Sequence, residues 1–220
     1  MAITVHHLEN SRSQRVLWLL EELGLPYTIN RYERDPKTML APPELRKVHP
    51  LGKSPVIQHE GRVVAETATI IEYLIALAGG RFGPPADSDG TLRWRYFVDY
   101  AEGSLMPPLL LRLVIDKMGP FGWVAKSTVT RMAMVHIDYV EAELGRRPWF
   151  AGQEISAADI MMSFPLEAAR QRLKLDGHRP AIVDCWIASM HGRHIRPRSR
   201  RAALMIMRER VRRWHRRRTA

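Results

Sequence analysis

Apolar residues recur at two different periods along this chain, and the change of period divides it. Ile3-Thr4-Val5-His6 alternates and predicts a strand. Val16, Leu19, Leu20 and Leu23 fall at i, i+3, i+4 and i+7, one face of a helix that stops at Gly24. Between them, Asn10 to Ser13 is a polar turn rich in helix-capping residues. Tyr27 to Tyr32 reads as a second strand, and residues 33–50 as a loop with a short helix begun by Pro42-Pro43. Val56-Ile57-Gln58-His59 and Arg62-Val63-Val64-Ala65 form a hairpin around Glu60-Gly61, followed by a helix from Glu66 to Leu77. The order is βαβ, a short helix, then ββα. Parallel strands in such a unit need a crossover, which the first helix supplies.

Past that point the strand period disappears. Gly79-Gly80, Gly83, Pro84-Pro85 and the Asp87-Ser88-Asp89-Gly90 run mark a boundary. We therefore divide the chain into residues 1–80, a linker at 81–89 and an all-helical part over 90–220. Helices are predicted from Thr91 to Met118, kinked at Pro107-Pro108, and over Ser127–Leu144, Ala157–Leu173, Ala181–Arg193 and Ala202–Arg213. Ser156-x-x-Asp159 has the spacing of a capping box, with a structural role.

Charge changes this picture at one end only. The net charge is +11, yet residues 1–192 hold equal numbers of basic and acidic side chains. Residues 193–220 hold 12 basic and 1 acidic and carry the whole excess. This segment, Arg208 to Arg218 above all, suits an acidic surface, but a nucleic-acid binder also needs interleaved aromatics and only Trp214 is available. Cys185 is the single cysteine, so no disulfide forms within the chain. The first residues lack a secretory pattern, and no apolar run approaches the ~18 residues that span a bilayer, which points to the cytoplasm. No metal site is expected: His6-His7 and the His191/His194 pair lack a carboxylate or cysteine at useful spacing.

Two short motifs carry the chemistry. In Lys53-Ser54-Pro55-Val56, a proline without an N–H sits at a strand entry, a place that suits a cis peptide bond and leaves the Val56 backbone to meet a ligand backbone. Glu66-Thr67 puts an acid and a hydroxyl at a helix start. The acid suits an ammonium group, and the hydroxyl and helix-start N–H groups suit a carboxylate. Together they describe a receptor for a small peptide with a free amino-acid end.

With these motifs, Asn10-Ser11-Arg12-Ser13 before Arg15-Val16-Leu17-Trp18, Pro42-Pro43-Glu44-Leu45, Tyr100-Ala101-Glu102-Gly103-Ser104-Leu105-Met106-Pro107 and Ser156-Ala157-Ala158-Asp159, the chain resembles the serine-type glutathione transferases of bacteria and fungi over nearly its whole length. The resemblance implies a thioredoxin-like α/β domain followed by an all-α helical bundle. It implies glutathione as co-substrate, conjugation to small apolar electrophiles, reduction of organic hydroperoxides in some members, and a homodimer. It places Val56 on the cysteinyl backbone, Glu66 and Thr67 on the γ-glutamyl end, and Lys53 near the glycyl carboxylate, with Ser54 in the same loop and His49 as a rival to Lys53. Family members more often carry serine where Thr67 stands.

In serine-type members the activating serine precedes a helix arginine by four residues, the relation of Ser11 to Arg15. Ser13, Asn10 and Arg12 remain rivals. A free thiol has a pKa near ~8.5, and lowering it by two units takes about 2.7 kcal/mol. A hydrogen bond to the charged sulfur supplies roughly 1.5–3 kcal/mol. The electrophile is expected over the sulfur, walled by Tyr100, Ser104, Met106, Pro107 and Leu111. The competing reading is a non-catalytic glutathione-binding scaffold whose basic end docks on RNA or an acidic partner.

Overall fold

The computed structural model describes residues 2–173, 175 and 179–191, the last six of these by backbone alone. The predicted helix Ala202–Arg213 and the basic segment 193–220 lie outside the described residues, as does the end of the predicted helix Ala181–Arg193. The described residues fall into two compact units, one ending at Arg81 and the other spanning Phe82–His191.

The first unit is built from β1 (Ile3–Leu8), α1 (Ser13–Leu23), β2 (Tyr27–Tyr32), α2 (Leu45–Val48), β3 (Val56–His59), β4 (Arg62–Ala65) and α3 (Thr67–Leu77). Its strands lie in the order β2-β1-β3-β4. β1 runs parallel to β2, with Val5 opposite Ile29, and antiparallel to β3, with Val5 opposite Ile57. This is the thioredoxin-like arrangement. The predicted stripe of α1 is its buried face: Val16, Leu19, Leu20 and Leu23 are all core residues, alongside Ile70, Ile71 and Leu74 of α3, the helix against which α1 packs. Burying four such side chains stabilises the unit by about 6–12 kcal/mol before chain entropy is counted. Gly24 ends α1 in the left-handed region, φ 70°, and its N–H reaches back to the Glu21 and Leu20 carbonyls. Arg81 donates to the Leu23 and Glu22 carbonyls, closing the same helix end from a distant part of the chain.

The second unit is all-helical: α4 (Ser88–Tyr100), a π-helical turn (Ala101–Leu105), α5 (Met106–Lys117), a 3₁₀ turn (Gly119–Gly122), α6 (Trp123–Leu144), α7 (Ala157–Leu173) and α8 (Pro180–His191). α4 packs on α7, and α5 on α6 and α7. Trp94, Phe97, Tyr100 and Phe150 form an aromatic core, with the Phe97 and Phe150 rings 4.7 Å apart.

Three helix boundaries differ by more than a residue from the sequence expectation. α4 starts at Ser88, inside the expected linker and three residues ahead of Thr91, because the Asp87 side chain caps it by accepting from Gly90 N–H at 2.6 Å. The irregularity expected at Pro107-Pro108 falls one turn earlier, as the π turn. The two prolines lack the N–H groups that the Gly103 and Ser104 carbonyls accept in an α-helix, so the chain widens before them. α6 starts at Trp123, four residues ahead of Ser127, because its first residues lie outside the buried stripe: Trp123 and Val124 are 77% and 80% exposed. The capping box at α7 is present. Ser156 N–H donates to Asp159 Oδ2 (2.8 Å), and Ser156 Oγ accepts from Ala158 N–H (3.2 Å). Asp159 also accepts from Phe150 N–H (2.8 Å), so it pins the preceding loop to the helix.

Candidate functional site

Three segments of the first unit converge at the end of β1. The chain leaves β1 at Leu8, turns through Asn10 in the left-handed region (φ 51°), and enters α1 at Ser13. Asparagine tolerates that conformation, so the turn is made without glycine. Arg34 braces this loop by donating from Nε to the Glu9 carbonyl at 2.9 Å. The second segment is Ser54-Pro55, joined by a cis peptide bond, just before β3. Ser54 Oγ donates to the His6 carbonyl (2.8 Å) and accepts from Leu8 N–H (3.2 Å), which holds the cis turn against β1. The third segment follows from strand register. Val56 lies opposite Ala65, so in this antiparallel pair Glu66 comes across from Pro55.

Ser11 sits where these segments meet. Its Oγ is 2.7 Å from Ser13 Oγ and 3.3 Å from Ser54 Oγ, and it accepts from Ser13 N–H at 3.3 Å. Ser13 Oγ is in turn 2.7 Å from His7 Nδ1. Ser11, Ser13 and His7 are all buried. The residue in the capping position of α1 is Arg12, whose side chain makes no cap hydrogen bond. Of the rivals to Ser11, Ser13 is fully enclosed and Asn10 is exposed.

Glu66 occupies the position before α3 with φ 67° and ψ 129°, a conformation that strains any residue with a Cβ. Its carboxylate is exposed and makes no cap hydrogen bond, so helix capping does not account for it. Thr67 follows as the first residue of α3 and is buried. Val56 opens β3 and has strand neighbours on both sides, His6 and Ala65. It is not an edge residue, so a ligand backbone meets it only at the end of the ladder, beside the cis turn. Lys53 is exposed, and Gly52 before it turns in the left-handed region at φ 58°. His49 ends α2 in extended conformation, and its carbonyl accepts from Gly52 N–H at 2.8 Å.

The arrangement offers a hydroxyl, a strand end beside a cis proline, a helix start and an exposed acid within one patch of the α/β unit. Residues 11–77 match the family model described as Glutathione S-transferase, N-terminal domain. Glutathione S-transferase 3 of Schizosaccharomyces pombe is 35% identical over 183 residues, spanning 77% of this chain and 75% of the relative. The chain belongs to the glutathione S-transferase family. Glutathione S-transferase 1 of Saccharomyces cerevisiae is 33% identical over 192 residues, spanning 77% of this chain and 82% of that protein. A crystal structure of a glutathione S-transferase from Actinobacillus pleuropneumoniae superposes with a TM-score of 0.79 at 31% identity, over 94% of this chain and 92% of that one.

Within the helical unit of this family member, the five candidate electrophile residues separate into two groups. Tyr100 and Met106 are buried. The Tyr100 hydroxyl lies 2.7 Å from His136 Nδ1, and burial pushes the Tyr100 pKa upward and the His136 pKa downward. Ser104 is half-buried, and Pro107 and Leu111 are exposed. Pro107 and Leu111, four residues apart on α5, share an accessible face, and Ser104 lies in the π turn before them.

Sequence reasoning missed two participants, His7 and Arg34. The sequence offers His7 only alongside His6, as a metal pair that is set aside for want of a carboxylate or cysteine. Adjacent strand residues face opposite ways, so His6 meets Tyr32 (2.9 Å) and Gln58 (3.0 Å) while His7 meets Ser13. Strand alternation was the available signal. No helix among the described residues is long and apolar enough to cross a membrane.

Proposed function

We propose that this protein is a catalytic glutathione transferase in which Ser11 stabilises the glutathione thiolate for attack on small apolar electrophiles. The observation that carries the reading is the position of Ser11 Oγ, 3.3 Å from Ser54 Oγ beside the cis proline and two residues before the first residue of α1. Glutathione lies with its cysteinyl backbone at the Val56 end of β3, its γ-glutamyl group at Glu66 and Thr67, and its glycyl carboxylate towards Lys53. The Ser11 hydroxyl donates to the sulfur, and the thiol proton passes to solvent. With an aryl halide, the sulfur lone pair forms the carbon–sulfur bond and the halide leaves with the bonding pair. A hydroxyl donor and the α1 dipole together meet the roughly 2.7 kcal/mol needed for a two-unit fall in thiol pKa.

In the helical unit, we assign Ser104, Pro107 and Leu111 to the electrophile. Their apolar and weakly polar character suits a tolerant site with little hydrogen-bond selection. Organic hydroperoxides are a second substrate class for the same thiolate. A cytoplasmic homodimer completes the proposal, on the family's usual habit.

The test is Ser11→Ala, assayed for conjugation of glutathione to a chromogenic aryl halide and for glutathione binding by calorimetry. Turnover is expected to fall by roughly 10-fold or more with little change in affinity. Full turnover in the variant refutes the assignment of Ser11.

A further inference from the structure

The polar contacts behind Ser11 form a chain whose direction can be worked out by counting protons. Four contacts run in sequence: His7 Nδ1 to Ser13 Oγ at 2.7 Å, Ser13 Oγ to Ser11 Oγ at 2.7 Å, Ser11 Oγ to Ser54 Oγ at 3.3 Å, and Ser54 Oγ to the His6 carbonyl at 2.8 Å. Each contact holds one proton. A carbonyl only accepts, so the last contact uses the Ser54 proton. The Ser11–Ser54 contact then uses the Ser11 proton, because Ser54 has no other. The Ser13–Ser11 contact uses the Ser13 proton for the same reason. The first contact is left with the proton on His7 Nδ1. In the reverse direction, Ser11 donates to Ser13 and two oxygens face each other at 3.3 Å with nothing between them.

The forward direction also fills both acceptor positions of Ser11 Oγ, one by the Ser13 hydroxyl and one by Ser13 N–H at 3.3 Å. Its proton is left on the longest link of the chain. An arriving sulfur anion replaces that long neutral bond with a charge-assisted one. We infer that His7 and Ser13 are positioning residues that aim the Ser11 hydroxyl proton at the sulfur of glutathione. The His7–Ser13–Ser11 part of the chain is buried, with Ser13 at 0% exposure and His7 and Ser11 at 6% each, so water competes little for those two hydrogen bonds, while Ser54 at the ligand end is half-buried.

This inference rests on the assignment of Ser11, and the experiment separates the two. The full-length protein is saturated with glutathione and the bound thiol is titrated by its thiolate ultraviolet absorbance. Ser11→Ala, Ser13→Ala, His7→Leu and His7→Asn are measured beside the parent, with calorimetric glutathione affinity and turnover for each. Asparagine places an amide nitrogen near the position of Nδ1 and restores the donor. Ser13→Ala and His7→Leu are expected to raise the thiol pKa by about one unit, leaving roughly threefold less thiolate at neutral pH and roughly threefold lower kcat at unchanged affinity. His7→Asn returns both values to the parent's. If Ser11→Ala raises the thiol pKa while Ser13→Ala and His7→Leu leave it in place, the positioning role is overturned and the Ser11 assignment stands. If His7→Asn behaves as His7→Leu does, the donor role of His7 is overturned. If Ser11→Ala itself leaves the thiol pKa in place, both readings fall.

Discussion

Glu66 combines a strained backbone with an exposed carboxylate, so substitutions there should move stability and ligand affinity in opposite directions. At φ 67° and ψ 129° a residue with a Cβ carries about 1–3 kcal/mol of strain. Glycine removes that strain, but it returns roughly 0.4–1 kcal/mol of entropy to the unfolded chain. The carboxylate makes no cap hydrogen bond, so its loss removes no helix cap. Glu66→Gly is therefore expected to stabilise the apo protein by about 1 kcal/mol, a rise in Tm of roughly 2–4 °C for a chain of this size. The same change deletes the acid proposed to hold the glutathione ammonium, a contact worth about 1.5–3 kcal/mol, or roughly 10- to 100-fold in Kd. Glu66→Ala is the control: it keeps the strain and loses the acid, so its affinity falls equally while its Tm stays near the parent's. Thermal unfolding and calorimetry on the three proteins read both effects. Equal Tm values for the glycine and alanine variants would refute the strain argument. Unchanged Kd in both would refute the ligand role.

Burial pushes the Asp159 carboxyl up to about 6, even with donors from Phe150 and Ser156 pointing at it. A folded-state value above the unfolded one means the folded protein holds more protons between about pH 4 and pH 6, so this group's contribution to stability falls as pH rises through that window. Asp159→Asn, which cannot ionise, should cost more stability at pH 4 than at pH 7, by roughly 2 kcal/mol. A pH-independent cost in denaturant titrations would contradict this. Asp159→Ala strands the Phe150 and Ser156 N–H groups and should cost about 2–5 kcal/mol at pH 7 and roughly 2 kcal/mol more at pH 4, because alanine does not ionise either; the same titrations read both. Lys53→Gln should weaken glutathione binding a few-fold at low salt, with the difference shrinking as ionic strength rises. A salt-independent loss would mean that Lys53 acts through something other than its charge.

The α/β unit was readable because α1 buries one periodic face and its strands are short runs bounded by local turns. Val16, Leu19, Leu20 and Leu23 mark α1, and the paired four-residue runs mark β3 and β4. The start of α6 was obscured where Trp123 and Val124 break the stripe by facing solvent. In the site, Ser54-Pro55 and Glu66-Thr67 announced themselves because proline geometry and helix starts are local. The hydrogen-bond chain behind Ser11 was hidden for the opposite reason. It joins His7, Ser13 and Ser54, up to 48 positions apart when the His6 carbonyl is included, through contacts that exist only once β1 and the cis turn are side by side. The separation of Tyr100 and Met106 from Ser104, Pro107 and Leu111 was likewise out of reach. It depends on how the π turn rotates α5, and a proline pair signals only an irregularity.

That turn makes the segment Ala101–Leu105 a place where length can change without loss of direction. A π turn takes up about one residue more than an α-helical turn, so removing one residue there restores the regular 3.6-residue pitch and leaves everything downstream on the face it now occupies. Met106 and Leu109 would stay in the core, and Pro107 and Leu111 would keep their outlook on solvent. The bulge therefore acts as slack in the chain, which can be taken up without altering a single side chain on the accessible face.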